Sequence, residues 1–422
     1  MKIAIVGAGP GGLTLARLLQ IKNVAVTVYE RDAHKDARMK GATLDLHEES
    51  GLRALREAGL MEAFMANYRP DADKMRIVDK RANILFDDDA NPGDASSGDV
   101  GSGDAGSGDV GSGDASSGDV GSARDRSRPE IDRGPLQNIL LESLQPGTVE
   151  WNRHFIALSP QNALSPQNSS WRLEFRDGTF ATADIVIAAD GANSRLRSYI
   201  TPIKPFYTGV TAMEGAVYHS ATAAPKVHQL LNGGKIFALG DEKSLIVSSK
   251  GDGSLVFYTS CKTDEQWSRE SGIDFSDKAR VLAWFKDEYA GWDSLWQELF
   301  ENATGPFIPR PQYCMPLDQV WEALPNLTLL GDAAHLMPPF TGEGVNMAML
   351  DAVELSQRLT GGGFPDTQAA IAAYEKQMRS RASEAARDSL EATAAFHSPD
   401  AISFLLATIG VAPGDDRRGL VA

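Results

Sequence analysis

The sequence predicts an α/β protein in which a parallel sheet covered by helices is joined to a second, antiparallel sheet. Three observations support this fold class. Short apolar strands alternate with helical patterns at the start of the chain, and two later runs are apolar on both faces, as in a parallel sheet with helices on each side. The middle of the chain carries hairpin signals instead. At 422 residues with 42% hydrophobic content, the chain is long enough to form two domains.

Composition excludes several classes of protein. The net charge of -16 disfavours nucleic acid as a partner, because phosphates call for a basic face. No run reaches the roughly 18 to 20 apolar residues of a membrane span, and the longest candidate, 401–412, is predicted to be a packed C-terminal segment. Cys261 and Cys314 are too few for a disulfide framework, so both are interpreted as ordinary thiols. We expect a cytoplasmic monomer with a small-molecule substrate and no membrane partner.

Two duplications interrupt this pattern. Residues 93–122 are six tandem pentapeptides of Gly, Asp, Ser, Ala and Val, predicted to form a disordered surface insertion because they have too little apolar surface to offset their ordering entropy. Calcium binding by the regularly spaced carboxylates is an alternative, but the five-residue period fits no known cage. The hexapeptide ALSPQN occurs at 157–162 and again at 163–168, which is interpreted as a lengthened loop.

The first element predicts dinucleotide binding. A β-branched strand at 2–6 leads into Gly7-x-Gly9-x-x-Gly12, a helical pattern follows, and a second strand ends at Glu30, eighteen residues after Gly12. Gly7 allows a tight turn, Gly9 lets backbone amides approach a pyrophosphate, and Gly12 lets the helix pack close to the strand. Glu30 is placed to accept hydrogen bonds from a ribose. The combination is typical of a Rossmann-type domain.

Two later strands repeat this arrangement. The apolar run 184–189, which follows a hairpin signal at 177–178, ends in Asp190, and the run 327–330 is followed by Gly331 and Asp332. Since the carboxyl ends of parallel strands meet at one edge of a sheet, three such ends indicate a cofactor lying along that edge.

Different patterns mark the second sheet and the C-terminus. Residues 245–249 and 254–261, joined by Lys-Gly-Asp-Gly, predict a hairpin. From 371 to 386, apolar and small residues keep helical spacing and predict a long helix between the two domains.

Together these motifs resemble a known family. Gly7, Gly9 and Gly12 with Glu30-Arg31, the Asp190-Gly191 motif, and GDAAHLMPPFTGEGVN at 331–346 match in order and spacing the three fingerprints of the single-component FAD-dependent aromatic hydroxylases. Within that group the chain most resembles the tetracycline-inactivating flavin monooxygenases, as in MKIAIVGAGPGGLTLARLLQ and VTVYERDAHKDARMKGATLDLH. The likeness covers nearly the whole chain apart from the two duplications.

The resemblance implies a division of the chain. Residues 1–68, 127–198 and 306–362 would form the FAD-binding domain, and residues 69–92 and 199–305 the substrate-binding domain. Residues 363–422 would be the C-terminal bridging helix and tail.

The resemblance also implies the cofactor contacts. Glu30 would bind the adenosine ribose, with Arg31 beside the adenine or pyrophosphate, and the helix after Gly342 would direct its amides at the flavin, where a helix N-terminus stabilises negative charge. FAD would be held tightly but without a covalent bond. The positions that match the family's cofactor contacts are Gly7, Gly9, Gly12, Glu30, Arg31, Asp45, Arg133, Gln137, Asp190, Asp332, Pro339, Gly342, Gly344, Val345 and Asn346.

In this family NADPH or NADH reduces the flavin, O2 adds at its C4a carbon, and the peroxide transfers one oxygen atom to the substrate. No catalytic triad is required. Asp45 is the one candidate for a direct role, orienting flavin or substrate, with simple hydrogen bonding as the alternative. His335 is interpreted as structural, and the histidines His154, His219, His228 and His397 as solvated or core residues; no His, Cys or carboxylate spacing predicts a metal site.

The family's substrate contacts fall on Glu214, Lys235, Val247, Val256 and Tyr258, with Pro339 and Gly342. A histidine expected near Val256 is absent, and losing a hydrogen-bonding group can cost about 10- to 1,000-fold in recognition. The substrate is therefore expected to be an aromatic or polyketide compound, either a tetracycline or another fused-ring phenol or enol. A flavoprotein that sequesters a planar drug or metabolite without oxygenating it is the alternative.

Overall fold

The computed structural model describes residues 1–37, 41–70, 72–90, 128–161 and 170–411. The repeat at 93–122 and the second copy of ALSPQN lie outside these residues, so the predictions made for them stay predictions. The first copy is only in part a loop, since residues 157–160 belong to a strand.

The described chain contains strands in four sheets. The strands are β1 (Lys2–Val6), β2 (Ala25–Tyr29), β3 (Leu44–Asp45), β4 (Met75–Asp79), β5 (Ile84–Asp87), β6 (Glu130–Ile131), β7 (Val149–Glu150), β8 (Phe155–Pro160), β9 (Trp171–Phe175), β10 (Phe180–Ala183), β11 (Ile185–Ala188), β12 (Phe206–Val217), β13 (Lys235–Gly240), β14 (Lys243–Ser249), β15 (Leu255–Lys262), β16 (Ile308–Cys314) and β17 (Leu327–Leu329).

The helices vary from one turn to thirty residues. They are α1 (Pro10–Ile21), α2 (Arg53–Glu57), α3 (Met61–Met65), α4 (Arg133–Glu142), α5 (Ser220–Ala223), α6 (Pro225–Leu231), α7 (Trp267–Glu270), α8 (Lys278–Glu288), α9 (Gln297–Glu301), α10 (Asp332–His335), α11 (Glu343–Thr360), α12 (Thr367–Phe396) and α13 (Ala401–Thr408). A π-helical turn at Glu48–Leu52 and 3-10 turns at Asp88–Ala90, Leu196–Tyr199, Ser294–Trp296 and Pro339–Thr341 complete the helical structure.

The first sheet is entirely parallel and has the strand order β17-β11-β1-β2-β7. Its central strands β1 and β11 are buried, because α1, which packs against α11, and the β8–β10 sheet contribute to the same core. The predicted hairpin at 177–178 joins β9 and β10. The three strand ends carrying Gly7, Asp190 and Gly331 therefore lie side by side, as the sequence predicts.

The second sheet has seven strands in the order β16-β12-β15-β14-β13-β4-β5 and is antiparallel except where β13 pairs with β4. The predicted hairpin is β14–β15. Aromatic residues of α8, α9 and the segment between them pack on one face and form a second core. β16 belongs to this sheet although it lies within 306–362, the segment assigned by sequence to the cofactor domain.

The predicted long helix, α12, connects the two sheets. Near its start, the hydroxyl of Tyr374 donates to the carbonyl of Leu329 in the first sheet (3.0 Å). At its end, Phe396 packs edge-on against Phe237 of β13. The C-terminal segment α13 then packs on the second sheet through Leu405, as the apolar run at 401–412 predicts. No helix in the described part of the chain is long and apolar enough to cross a membrane.

Candidate cofactor and substrate site

A cleft of about 340 Å³ opens at the carboxyl ends of β1, β2 and β11. It is lined by Val6, Gly7, Gly9, Tyr29, Glu30, Arg31, Arg153, His154, Phe155, Ala189, Asp190, Gly191, Ala192, Asn193 and Arg195. Five residues proposed from sequence as cofactor contacts (Gly7, Gly9, Glu30, Arg31 and Asp190) are therefore brought together here.

The three motif glycines meet different surroundings. A Cβ atom on Gly7, which has φ of 114°, would lie 2.2 Å from the carbonyl oxygen of Ala189, and one on Gly12 would lie 2.2 Å from that of Gly7. Both positions exclude any side chain. A Cβ on Gly9 would meet nothing within 4 Å, so this glycine leaves open space in the cleft for a ligand.

Two carboxylates border the cleft. Glu30 is buried and accepts from the backbone N–H groups of Ala8 (2.7 Å) and Asp32 (2.9 Å), which ties the end of β2 to the glycine turn. Asp190 accepts from the N–H of Arg195 (2.8 Å) through Oδ2, while its buried Oδ1 has no hydrogen-bond partner among the residues that the structure describes. A buried acceptor left over in a cleft is one that a bound hydroxyl or amide can satisfy.

Cationic side chains surround the same cleft, and of these only Arg31 is predicted from the sequence as a cofactor contact. Arg153 and Arg195 also line it, beside the imidazole of His154. Burial, together with the charges of Arg176, Arg195 and Arg31, lowers the pKa of His154. Such a concentration of positive charge suits the phosphates of a dinucleotide. In the sequence, Arg153 and His154 follow shortly after the edge strand β7, and they belong to no recognisable motif.

Arg197 links the segment after Asp190 to the segment after Gly331. Its buried guanidinium donates to the carbonyl oxygens of Ala333 (2.7 Å), Asp332 (2.8 Å) and Ala192 (3.1 Å). Burial lowers the pKa of Arg197, with Asp190 and Asp332 acting in the opposite direction. Burial likewise raises the pKa of Asp332, although His335, Arg133 and Arg197 partly offset it.

The N-terminus of α11 meets the strand β3. A Cβ on Gly342, which has φ of 74°, would lie 2.8 Å from Oδ1 of Asp45, and one on Gly344 would lie 3.9 Å from Oδ1 of Asp332. Asn346 is completely buried and holds this junction: its Oδ1 accepts from the N–H of His47 (2.9 Å), and its Nδ2 donates to the carbonyl of Asp45 (2.9 Å). The Asn346 side chain is therefore engaged by the protein itself, and any cofactor contact there falls to the backbone.

His47 lies between two carboxylates at this junction. Its Nε2 is 3.1 Å from Oδ2 of Asp45, and its Nδ1 is 3.4 Å from Oε1 of Glu343. Burial favours neutral His47, but the two carboxylates outweigh it and raise the pKa of the imidazole to about 9. Burial would also raise the pKa of Asp45, yet the hydrogen bond from His47 and the charge of Lys235 lower it. Asp45 is thus an ionised acceptor.

The remaining expected cofactor contacts lie around this junction. Arg133 begins α4, and its Nε donates to the carbonyl of Ala42 (3.1 Å). Gln137 is half-buried one turn further along α4, Pro339 is exposed at the start of its 3-10 turn, and Val345 packs against the first core.

The second sheet turns one face toward this junction, and its register fixes which side chains lie there. Lys235 pairs with Ser248, Ser248 with Val256, and Val256 with Ala216. In the next row on the same face, the paired residues in order are Phe237, Ile246, Tyr258 and Glu214. Glu214, Lys235, Val256 and Tyr258 thus share one face, and their contact with a substrate stays a prediction.

The prediction that Val247 contacts the substrate is wrong, because Val247 lies on the other face of the sheet. Side chains alternate along a strand, and Val247 points to the opposite face, where it is completely buried in the second core beside Phe257. Its neighbour Ile246 occupies the face that carries Tyr258. The position assigned from the family resemblance is therefore displaced by one residue along β14.

Polar contacts connect this face of the second sheet to the region around the junction between β3 and α11. Lys235 forms an ion pair with Glu130 of β6, and Arg310 forms one with Glu214. Tyr258 accepts from the N–H of Ala42 (3.2 Å) through its hydroxyl. Burial, followed by the charge of Glu214, raises the pKa of Tyr258, which keeps the phenol neutral. Glu130 is buried, and burial raises its pKa although Lys235 opposes this.

Two histidines have structural environments, as expected for them. His335 is buried with its Nε2 2.6 Å from Oδ2 of Asp351, which in turn receives Arg381. His397 is completely buried, with Nε2 2.8 Å from Oγ of Ser260 and Nδ1 2.7 Å from the carbonyl of Thr393. Among the residues that the structure describes, no cluster of three or more His, Cys, Asp or Glu side chains could hold a metal ion.

The fold and this site define a class: a flavin-dependent oxygenase with a Rossmann-type cofactor domain. The family model described as "FAD binding domain" matches residues 1–304 and 321–389, and the chain belongs to that family. The protein is an FAD-dependent monooxygenase that uses NAD(P)H and O2.

Individual relatives agree with this membership. The chain is 29% identical to monooxygenase asqM of Emericella nidulans over 91% of this chain and 93% of that protein. It is 31% identical to 3-amino-4-hydroxybenzoate 2-monooxygenase PtmB3 of Streptomyces platensis over 64% of each chain. The solved structure of tetracycline destructase Tet(51) has the same fold, with a TM-score of 0.68 and 16% identity over 97% of this chain and 95% of that one.

The residues present fit an FAD. Gly9 leaves space for a close backbone approach, Asp190 has an unused buried acceptor atom, and arginines surround the cleft. The cofactor supplies the activation of oxygen, while the protein supplies orientation, exclusion of water and electrostatics.

Proposed function

We propose that the protein hydroxylates an aromatic or polyketide substrate, of the fused-ring phenol or enol type, held against the inner face of the second sheet. The observation that carries this proposal is the row Phe237, Ile246, Tyr258 and Glu214, beside the row that starts at Lys235. Three strand intervals of about 4.8 Å make each row about 14 Å long, which suits several fused rings.

The side chains on this face are divided by chemistry. Ile246 and Val256 provide an apolar middle against which a planar ring system can lie, with Phe237 at one end. Lys235 lies at the β13 end of the neighbouring row. It is a cation that can hold an acidic phenol or enol oxygen near its ionised form, which makes the ring more electron-rich. Tyr258 accepts from Ala42 and still has its hydroxyl proton to donate to a substrate oxygen.

The relatives support substrates of this kind. One of them is named for oxidation of an aminohydroxybenzoate, and a protein with the same fold is a tetracycline destructase. Tetracyclines, which are fused-ring polyketides, belong among the compounds to test. The valine at 256 removes a polar partner from the middle of the face and favours less polar ring systems than a lining with histidine there would.

The test is a screen of phenols, fused-ring polyketides and tetracyclines for stimulated oxidation of NADPH and of NADH by FAD-loaded protein. A substrate is expected to accelerate this oxidation and to yield a product heavier by one oxygen atom in mass spectrometry. If a compound binds but only hydrogen peroxide accumulates, or if it binds without any stimulation, sequestration of a planar ligand describes the protein better than hydroxylation.

A further inference from the structure

His47 has an environment that a neutral imidazole cannot satisfy. Both of its ring nitrogens face carboxylate oxygens, Asp45 Oδ2 at 3.1 Å and Glu343 Oε1 at 3.4 Å. A neutral imidazole carries one N–H and would leave its other nitrogen lone pair against a carboxylate, whereas an imidazolium donates to both. The side chains of His47, Asp45 and Glu343 are only 15%, 20% and 23% exposed, so solvent does little to relieve a mismatch.

The position of Glu343 explains why such a cation is needed. Glu343 is the first residue of α11, directly after Gly342, so its carboxylate sits at the positive end of this helix. A helix N-terminus favours a bound anion, but a carboxylate of the protein placed there competes for that favourable field and repels a second negative charge. Unless it is balanced, Glu343 would weaken the attraction of this helix end for an anionic ligand.

The charge of the cofactor changes during the established reaction. A flavin bound here would gain one negative charge on accepting a hydride, that is two electrons and a proton, from NAD(P)H, which would leave as NAD(P)+. The protein site must therefore accommodate one more negative charge after reduction than before it. Groups whose charge differs at this helix end shift the relative affinity for the two cofactor forms.

We propose that His47 is a positioning residue that acts through Glu343: held as an imidazolium between Asp45 and Glu343, it balances the carboxylate at the N-terminus of α11 and so maintains the preference of the site for the reduced, anionic cofactor. It follows that this preference weakens at alkaline pH, when His47 loses its proton. The inference concerns the cofactor and does not depend on which substrate is hydroxylated.

The surrounding charges are consistent with this role. On the β3 side, Asp45 also lies 3.7 Å from a guanidinium nitrogen of Arg128, and Lys235 of β13 adds positive charge to it. Lys235 is in turn paired with Glu130 of β6. In the described part of the chain, the other cations near the cluster therefore have carboxylate partners besides Glu343, and His47 is the cation in direct contact with it.

The experiment compares wild type with His47→Gln, Glu343→Gln and the double variant. For each protein, the dissociation constants of oxidised FAD and of dithionite-reduced FAD are measured anaerobically from pH 6 to 10, and the midpoint potential of the bound cofactor is measured with reference dyes. His228→Gln, on the exposed surface of α6, is the matched control for loss of an imidazole.

At pH 7, His47→Gln is expected to lower the preference for reduced FAD about tenfold, equivalent to about 30 mV in a two-electron potential. Glu343→Gln is expected to raise it, and the double variant to lie within about threefold of wild type. Above the pKa of His47, the wild type should approach the His47→Gln value. His228→Gln should behave as wild type throughout.

Two results would overturn the proposal. One is that both single variants change the affinities for oxidised and reduced FAD equally, which is what a purely structural role produces. The other is independent of the variants' folding: NMR of histidine Cε1–H groups in wild-type protein without FAD should show His47 still protonated at pH 8, and titration at or below the ordinary value of about 6.5 contradicts its assignment as a cation.

Discussion

At the residue scale, Gly9 and Gly12 belong to one motif but should respond differently to a single methyl group. In Gly12→Ala the new Cβ would overlap the carbonyl oxygen of Gly7, which as backbone cannot move aside, whereas in Gly9→Ala it would project into empty cleft. We expect Gly12→Ala to cost about 3 kcal/mol of unfolding free energy. Gly9→Ala should fold with unchanged stability and bind FAD at least tenfold more weakly, because it blocks close approach of the pyrophosphate.

Urea unfolding of the FAD-free proteins and fluorescence titration with FAD distinguish the two effects. Gly363→Ala, at a glycine with an open Cβ position outside the cleft, is the control. A loss of stability in Gly9→Ala comparable to that in Gly12→Ala would mean that the whole motif serves packing alone.

The cations around the cleft lead to a second prediction at this scale. Arg195 lines the cleft with an exposed side chain, while its backbone N–H donates to the carboxylate of Asp190. Arg195→Gln therefore removes the charge and leaves this backbone hydrogen bond intact. FAD affinity should fall about threefold, as expected for a partly solvated charge, and the loss should diminish as salt is raised. The measurement is FAD titration at two ionic strengths, with the exposed Arg280→Gln on α8 as control. An affinity that depends on salt to the same extent in both variants would contradict a role for Arg195 in binding phosphate.

At the element scale, β14 separates the proposed substrate face of the second sheet from the core within two adjacent residues. Ile246 lies in the row with Tyr258, and Val247 is buried among the aromatic residues of the second core. Val247→Ala should lower the unfolding free energy by about 2 kcal/mol through the cavity that it creates. Ile246→Ala should mainly change the Michaelis constant for the aromatic substrate, since it removes part of the apolar surface on which the ring lies.

Thermal unfolding measures the stability of the two variants, and substrate-stimulated NAD(P)H oxidation measures their Michaelis constants. If Val247→Ala rather than Ile246→Ala alters substrate recognition, the register described for β14 and β15 does not hold during turnover.

The same element illustrates what the sequence can and cannot predict. The β14–β15 hairpin and α1 depend on local patterns of turn residues and apolar spacing, which a single segment contains. The face on which Val247 lies depends on which side of the sheet the helices α8 and α9 cover, and the pairing of β13 with the distant β4 depends on long-range packing. Arg153 and His154 reach the cofactor cleft only because β7 adds to the sheet edge, so no motif marked them.

At the scale of the whole molecule, the partly buried His47 and the buried His397 are expected to give the stability a maximum in pH. The folded-state pKa of His47 is raised from 6.5 to about 9, so its contribution is complete below about pH 6.5 and is lost as the pH rises toward 9. Burial lowers the pKa of His397, with Lys262 adding to this, while the hydrogen bond that His397 donates to the carbonyl of Thr393 and its hydrogen bond with Ser260 oppose it. Its contribution is therefore complete above pH 6.5 and is lost as the pH falls.

Unfolding free energies measured in urea from pH 5 to 10 test this pair. His47→Gln should flatten the alkaline side of the profile, and His397→Gln the acid side, because each removes one titrating group. An unchanged slope on either side would show that the corresponding histidine has the same pKa in the folded and unfolded states.

Arg197 has a consequence for the order in which the living cell completes this protein. Its guanidinium holds the carbonyls of Asp332 and Ala333, which are synthesised more than 130 positions later, since the contact to Ala333 spans 136 residues. Until the ribosome has delivered that part of the chain, Arg197 can donate to the carbonyl of Ala192 but not to those of Asp332 and Ala333, so the segment around Asp190 lacks its contact with the later segment. We therefore expect FAD to bind stably only after β17 and α10 have been synthesised and have packed beside Arg197.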